Sequence, residues 1–437
     1  MVGDGMSQFG TIRGMRDFLP KDAEKMRYVE VIARDLARLY GYEEVITPVV
    51  EHYDLLAAKS GEEIRERMYT FKDMGGRRVA LRPEFTSSIA RLVATKIRNE
   101  PKPMKLFCAG SLYRYDEPQY GRFREFWQAN YELIGSSKPE ADAEVLTLTY
   151  DLIERLGFRN YWFKIGHVGI LRGILVQEGV AEEQQNTIMQ LLDKKRWNEA
   201  LTVAQESGAS RSCVAALKKL LEIRGKEVSR VVREAKQVVR DYESAVVAVE
   251  NLREILELTK ESGVKFETLI EAGFARGLEY YTGMIFESYV PKIEIALAGG
   301  GRYDKLIEIF GGEPTPALGV AQGIDRLVLA MKKQRVSSKV PEENKVMIIP
   351  VGEKMRTNAF KLSLKLRKAK IPAEVEVMGR TVSKALSDAD RRGVTHAVIV
   401  GPEELREGRV VLRDMKKREQ KAVEIENLSK EILRGTD

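Results

Sequence analysis

Residues Tyr113 to Glu132 read Tyr-Arg-Tyr-Asp-Glu-Pro-Gln-Tyr-Gly-Arg-Phe-Arg-Glu-Phe-Trp-Gln-Ala-Asn-Tyr-Glu. Between Leu106 and Gly135, two strand-like runs flank the polar connector Glu117 to Arg122. On the second run a period of two places Phe126, Gln128, Asn130 and Glu132 on one face. Trp127, Ala129, Tyr131 and Leu133 take the other. A polar row opposite an apolar one is ordinarily a wet sheet face. Here, however, Arg114, Arg122 and Arg124 lie beside it, and planar guanidinium groups can hold carboxylate or phosphate oxygens through two parallel bonds.

Outward from this unit the pattern alternates. Residues 21–40 read as an amphipathic helix, with Met26, Val29, Ala33, Leu36 and Tyr40 at helical spacing, followed by a strand from Val45 to Val50 that Pro48 interrupts. Tyr161 to Ile165 is a further strand. From about Gly173 to Gly263 the chain reads as helical, with Ala245, Val249, Leu252 and Leu256 in register. Strand character returns from Leu278 to Tyr289, then the turn-rich Ala298 to Gly301, then a strand and helix from Ala317 to about Lys333. The polar stretch 334–344 reads as a linker. Beyond it, Val346 to Pro350 and Ala397 to Val400 look like fully buried strands around a helix from Ala359 to Ala369, predicting a compact α/β domain with a mixed or parallel sheet.

A chain of 437 residues predicts two or three domains. The hydrophobic share of 43% and charged share of 31% fit a soluble globular protein. No run approaches the ~18 apolar residues of a membrane span, and Met1 to Pro20 holds no apolar leader, so a membrane or exported protein is not expected. Cys108 and Cys213 are too few for a disulfide framework or a four-ligand metal site, which points to a reducing cytoplasm. His52, His167 and His396 fall in no catalytic or metal pattern and read as structural. Of the net charge of +7, residues 343–437 supply 21 Lys and Arg against 15 Asp and Glu. That asymmetry suits a polyanionic partner, or simply a solvated charged surface.

The segment around Arg114 resembles motif 2 of class II aminoacyl-tRNA synthetases. Ala317-Leu-Gly-Val-Ala-Gln-Gly-Ile-Asp-Arg-Leu327 is similar to their motif 3, and Thr47-Pro48 after a long helix to motif 1, the dimer element. Ala275-Arg-Gly-Leu-Glu-Tyr-Tyr-Thr-Gly-Met-Ile-Phe-Glu287 is similar to the signature peptide of histidyl-tRNA synthetases, with Glu279 where Asp is usual. Leu81-Arg-Pro-Glu-Phe-Thr86 resembles the family's other substrate-binding stretch, with Phe85 where Gly is common. Ala298-Gly-Gly-Gly-Arg-Tyr-Asp304 is similar to a segment lining the histidine pocket.

The resemblance implies an α+β fold, a class II core on an antiparallel sheet with flanking helices. The core would comprise residues 1–172 and 264–333, with a helical insertion at 173–263, a linker at 334–344 and an α/β anticodon-binding domain at 345–437. It implies ligation of L-histidine to its tRNA with ATP and Mg2+, by a cytoplasmic homodimer formed through motif 1. Glu84, Thr86 and Gln128 would hold the α-amino group, and Glu132 and Tyr281 the two ring nitrogens, with Tyr280 and Tyr303 as walls. A carboxylate acceptor and a phenol donor suit an imidazole, which offers one N–H and one lone pair. Arg114 would contact the α-phosphate and the amino-acid carboxylate, and Arg276 would be the electrostatic catalyst opposite it. Phe126 and Arg326 would sandwich adenine, and Asp116 and Arg122 would also touch the nucleotide.

Taken singly, these residues have blander readings. Arg82, Arg122 or Arg326 could be a surface ion-pair residue, Tyr280-Tyr281 strand packing, and Gly299 to Gly301 merely a turn. Among other functions, a catalytically inactive relative serving as a regulatory subunit would typically lack the signature arginine, which is Arg276 here, and the C-terminal domain. A synthetase for proline, threonine or glycine would lack the Arg276 to Tyr281 signature. A plain RNA-binding module would need no paired pockets.

Overall fold

In the computed structural model, which describes residues 10–58, 60–336 and 344–434, Pro20 opens the helix Pro20–Leu39. Its missing N–H is one the first helical turn does not use. Met26, Val29, Ala33 and Leu36 are buried along one stripe of this helix. The chain divides into two compact units, Met1–Ser338 and Lys339–Asp437. Most of the stretch read as a linker, 337–343, and residues 1–9 of the stretch read as lacking a leader lie outside the described residues. Among the described residues no helix is long and apolar enough to cross a membrane.

The first unit is built on one nine-stranded sheet. Its spatial order is Glu43–Glu44, Met104–Tyr113, Glu125–Ile134, Ala317–Gly323, Ala298–Arg302, Met284–Tyr289, Trp162–His167, Glu267–Glu271 and Arg224–Gly225. Pairing is antiparallel except where Glu43–Glu44 meets Met104–Tyr113 and where Trp162–His167 meets Glu267–Glu271. The expected α+β class, an antiparallel-dominated sheet with flanking helices, is what the chain adopts. Helix Pro20–Leu39 packs near helices Pro139–Arg155 and Ile324–Gln334. Beneath it Tyr131, on the apolar face of its strand, is fully buried edge-on to Tyr42, and its hydroxyl donates to the Ala33 carbonyl at 2.7 Å. Helices Val168–Gln177, Glu182–Asp193, Trp197–Glu206, Arg211–Glu222, Val228–Val238 and Glu243–Glu261 fill the stretch read as helical. The two-residue strand Arg224–Gly225 within it joins the sheet edge.

Three local readings change. The strand expected from Val45 to Val50 is absent: Glu43–Glu44 joins the large sheet, and Val50–His52 joins a separate three-stranded sheet. Pro48 has no N–H to give a ladder, so the chain changes sheets there. The strand expected from Leu278 begins only at Met284, leaving Leu278 to Gly283 irregular, with a turn at Glu279 and Tyr280. Ala298 to Gly301, read as a turn, is a strand, Ala298–Arg302, paired on both sides.

In the second unit a five-stranded sheet runs Ala373–Val375, Val346–Pro350, His396–Val400, Arg409–Asp414, Gln420–Glu424. The first three strands are parallel and the rest antiparallel. Ile348 packs in the cluster of Leu362 and Leu366, whereas Met347 and Ile349 pack with Ala385 and Ala389. Burial on both faces explains the unbroken apolar run. His167 and His396 are buried; the His167 imidazole caps helix Val168–Gln177 by accepting from Gly169 N–H, and burial lowers its pKa to about 4, keeping it neutral.

Arg302 ends the glycine-rich strand and is anchored by the Asp142 carboxylate, by Asp304 at 3.1 Å and by the Ser136 carbonyl at 2.8 Å. Removing one partner of a dry ion pair strands the other. Asp142→Ala is expected to destabilise the first unit by about 3–5 kcal/mol in urea unfolding. A loss below about 1 kcal/mol would show that Asp304 and the carbonyl suffice alone.

Candidate active site

Glu132 stands on the third of the nine strands, between Leu106 on one neighbouring strand and Gly319 on the other. A Cβ at Gly319 would overlap its carboxylate, so glycine there clears the volume the acid occupies. The carboxylate, 1% exposed, accepts from Thr86 Oγ1 at 2.9 Å, from Asn130 Nδ2 at 3.3 Å and from the Tyr303 hydroxyl. Burial pushes its pKa up to about 7 against the pull of the three donors, and Glu84 adds to the rise.

The irregular stretch before Met284 brings aromatic rings beside this acid. Tyr280 lies 4.9 Å from Tyr281 and 5.8 Å from Tyr303, centroid to centroid. Arg276 donates to the Tyr281 hydroxyl oxygen at 2.9 Å, which leaves that hydroxyl's own proton free to be given elsewhere. Its Nε is 3.5 Å from Glu287, whose carboxylate also meets Lys164 at 3.2 Å and the Tyr289 hydroxyl at 2.6 Å. Burial works against the Arg276 charge, but Tyr281, Glu287, Tyr280 and Asp193 outweigh it and hold its pKa above the usual value. A Cβ at Gly299 would come within 2.7 Å of this guanidinium. The side-chain-free strand is therefore what lets Arg276 lie across the sheet.

At the other end, Arg114 follows the strand Met104–Tyr113 and donates through Nε to the Pro83 carbonyl at 2.9 Å. Its guanidinium is 5.4 Å from the Phe126 ring centre. Arg326, in the first turn of helix Ile324–Gln334, donates to the Ala296 carbonyl at 2.8 Å. Its pKa falls to about 10, first through burial, then through repulsion by Arg114, Arg122 and Arg276. Burial also lowers that of Arg114, with Asp116 and Glu84 opposing. Asp116 accepts from Arg67 at 2.9 Å, Glu84 accepts the Ser87 N–H at 2.9 Å, and Arg122 is exposed at the rim.

The residues to which the resemblance gave a contact with histidine or ATP all line one cavity: Glu84, Thr86, Arg114, Asp116, Arg122, Phe126, Gln128, Glu132, Arg276, Tyr280, Tyr281, Tyr303 and Arg326. Phe85 does not; it is fully buried in the core, with the Arg82 guanidinium 4.4 Å from its ring centre. Arg82 is no surface ion-pair residue either: it is buried and donates to the carbonyls of Thr47 at 2.7 Å and Ser111 at 3.1 Å. Glu279 meets Arg65 at 3.4 Å and Gln190 at 3.2 Å.

Sequence reasoning passed over Glu287, Asp325 and Asp193, which also line the cavity. The first two lie inside segments already quoted, where strand alternation and helix spacing could have pointed to them. Asp193 sits on a distant helix, accepts the Gly277 N–H at 2.8 Å, and carried no local signal. Among the described residues no group of three or more His, Cys, Asp or Glu is placed to hold a metal ion.

The raised pKa of Glu132 has a thermodynamic consequence. Folded protein holds this proton up to about pH 7, whereas the unfolded chain releases it near 4.5. Its contribution is therefore full below that lower value and is lost as pH rises through the upper one. Glu132→Gln removes the dependence. Relative to the parent, its stability is expected to improve from about pH 5 to about pH 8, by up to about 3 kcal/mol in ligand-free denaturant titrations. A constant difference across that range would mean the acid is already ionised in the empty pocket.

Comparison with known proteins agrees with this geometry. The family model for histidyl-tRNA synthetase matches residues 14–327, and that for the anticodon binding domain matches residues 345–434. A histidine–tRNA ligase of Methanocaldococcus jannaschii is 43% identical over 420 residues, covering 95% of this chain and 98% of its own. The apo histidyl-tRNA synthetase of S. aureus superposes with a TM-score of 0.68 at 25% identity, over 97% of this chain and 99% of its own. A Bacillus halodurans protein described as an ATP phosphoribosyltransferase regulatory subunit/histidyl-tRNA synthetase gives a TM-score of 0.74 at 26% identity, over 87% of this chain and 96% of its own. With the family model spanning the whole sheet and its cavity, the chain belongs to the histidyl-tRNA synthetase family.

Proposed function

We propose that the protein joins L-histidine to its cognate tRNA through a histidyl-adenylate, consuming ATP and releasing pyrophosphate and AMP. The observation that carries this reading is the polarity of one cavity. Arg114 and Arg326 stand at one end, the buried Glu132 carboxylate stands with tyrosines at the other, and Arg276 bonds Tyr281 while adding its charge to that of the two arginines. Half-buried guanidinium groups that repel one another call for a polyanion, and a carboxylate beside phenols suits an imidazole.

In this reading Glu84, Thr86 and Gln128 take the α-ammonium group, Glu132 accepts the ring N–H, and Tyr281 gives its proton to the other ring nitrogen. Thr86 can do so while its own proton goes to Glu132, because a hydroxyl keeps two acceptor sites. Tyr280 and Tyr303 wall the ring. Phe126 and Arg326 hold adenine between them, and Asp116 and Arg122 meet the nucleotide. The histidine carboxylate attacks the α-phosphorus, forming one P–O bond as the bond to pyrophosphate breaks. Arg114 and Arg276 neutralise the charge developing on the α-phosphate from opposite sides. A ribose hydroxyl at the tRNA terminus then attacks the acyl carbon and AMP leaves. Mg2+ would enter with ATP as part of the substrate complex and would offset charge on its phosphates.

The same reading assigns 1–172 and 264–333 to the catalytic core, 173–263 to the insertion, 334–344 to the linker and 345–437 to the anticodon-binding domain. It places the enzyme in the cytoplasm. Retention of Arg114, Arg276 and Arg326 in one cavity, with a C-terminal anticodon-binding match, disfavours a regulatory role.

Histidine alone among the standard amino acids is expected to support exchange of labelled pyrophosphate into ATP. No exchange by folded protein would overturn the enzyme reading. Arg276→Ala is expected to lower the exchange rate by about 10²–10³. Histidine Kd, read by calorimetry, should rise less than about tenfold because Glu132 remains; equal losses would make Arg276 a binding group only.

Next to Thr47-Pro48, Ile46 is 91% exposed and Val49 and Val50 are partly so. An apolar cluster of this kind suits a second copy of the chain, the homodimer proposed through motif 1. Sedimentation should show Ile46→Asp shifted from dimer toward monomer, and an unchanged dimer would place the interface elsewhere.

A further inference from the structure

The segment Gly10 to Leu19 takes no part in the chemistry above, yet it spans the nucleotide end of the cavity from outside. The Arg16 guanidinium lies 3.2 Å from the centre of the Phe123 ring and 4.8 Å from that of Phe18. Its Nη2 is paired with Asp325 Oδ1, at an acid whose side chain is 4% exposed. The other oxygen of Asp325 accepts the Trp127 N–H at 2.6 Å. Arg16 Nε is buried without an acceptor, so stack and ion pair together hold the group.

Its neighbours fix the segment in place. Gly14, at φ +86°, turns its carbonyl to the Arg124 N–H at 2.9 Å, and a Cβ there would stand 2.7 Å from the Arg124 side chain. Phe18 packs edge-on against Trp127 with centroids 5.3 Å apart.

These contacts converge on the two walls of the adenine slot. Trp127 follows Phe126 on its strand, and Asp325 precedes Arg326 on its helix. One carboxylate therefore ties the strand to the first turn of the helix, and Arg16 supplies the positive charge that offsets the cost of its burial. We propose that Arg16 is a positioning residue that sets the spacing between Phe126 and Arg326, and so the affinity for the adenine nucleotide. The proposal rests on the reading of that slot given above. The histidine end is braced separately, by Thr86, Asn130 and Tyr303 on Glu132, and shares none of these contacts.

That separation supplies the test. In histidine-dependent pyrophosphate exchange by the full chain, Arg16→Ala is expected to raise KM for ATP about tenfold while KM for histidine moves less than about twofold. Arg16→Lys restores the charge but not the planar stack, and should recover part of the loss. Equal shifts in both KM values, or none in either, would overturn the proposal and leave Arg16 a structural residue only. Should Arg16→Ala fail to fold, Arg16→Lys and Asp325→Asn decide it by the same criterion. If the parent protein shows no exchange at all, the enzymatic reading falls instead. Calorimetric titration with ATP then still tells whether Arg16→Ala weakens nucleotide binding, as proposed, or leaves it unchanged, which would refute the brace.

Discussion

The close approach of backbone to side chain at the middle of the large sheet is the constraint on which the site depends. Glu132 fits there because Gly319 opposite it has no side chain, and Arg276 lies across the sheet because Gly299 has none. A sheet of ordinary residues would fill both volumes with apolar carbon and bury neither charge. Glycine weakens a strand through entropy and missing packing, so a glycine-rich run needs strong neighbours. Ala298–Arg302 has them: it is paired on both sides and anchored at its end by Arg302 to Asp142. Stability at the anchor thus supports polarity at the pocket.

The same arrangement divides the cavity electrically. At one end burial favours the neutral form of Glu132, which three donors then pull back toward ionisation. At the other end burial and mutual repulsion lower the pKa values of Arg326 and Arg114, while Arg276 is held charged by tyrosines and Glu287. Each end is under-compensated by the protein's own groups, and in the proposed function each is relieved by a ligand of opposite character. Discrimination follows from this, because a ligand lacking the matching groups leaves buried polar atoms unpaired.

How much of this was legible depends on the range of each signal. The alternation from Phe126 to Glu132 is local, and the structure keeps it, with Tyr131 in the core and Glu132 in the cavity. The helix at 21–40 and the paired buried strands of the second unit were legible for the same reason. Gly299 to Gly301 misled because glycine signals a turn locally, whereas here its use is set by Arg276 and by the Ala317–Gly323 strand. Val45 to Val50 misled because the run is apolar enough for one strand but Pro48 splits it between sheets. Phe85 sits in the core beneath Arg82 because the fold turns it away from the cavity, which no spacing rule could show.

Charge was legible in total but not in place. Residues 1–342 carry 51 Lys and Arg against 50 Asp and Glu, so the unit holding the cavity is nearly neutral overall. Its capacity to attract a polyanion is therefore not a bulk field but a matter of aim, with Arg114, Arg276 and Arg326 turned inward and low exposure limiting screening. The second unit reverses this. Its positive excess lies mostly on exposed side chains around an apolar sheet, which gives a salt-sensitive, diffuse attraction suited to a long phosphate backbone. In the proposed function one chain thus uses two modes of holding phosphate: enclosed and geometric for the small nucleotide, exposed and additive for the large nucleic acid.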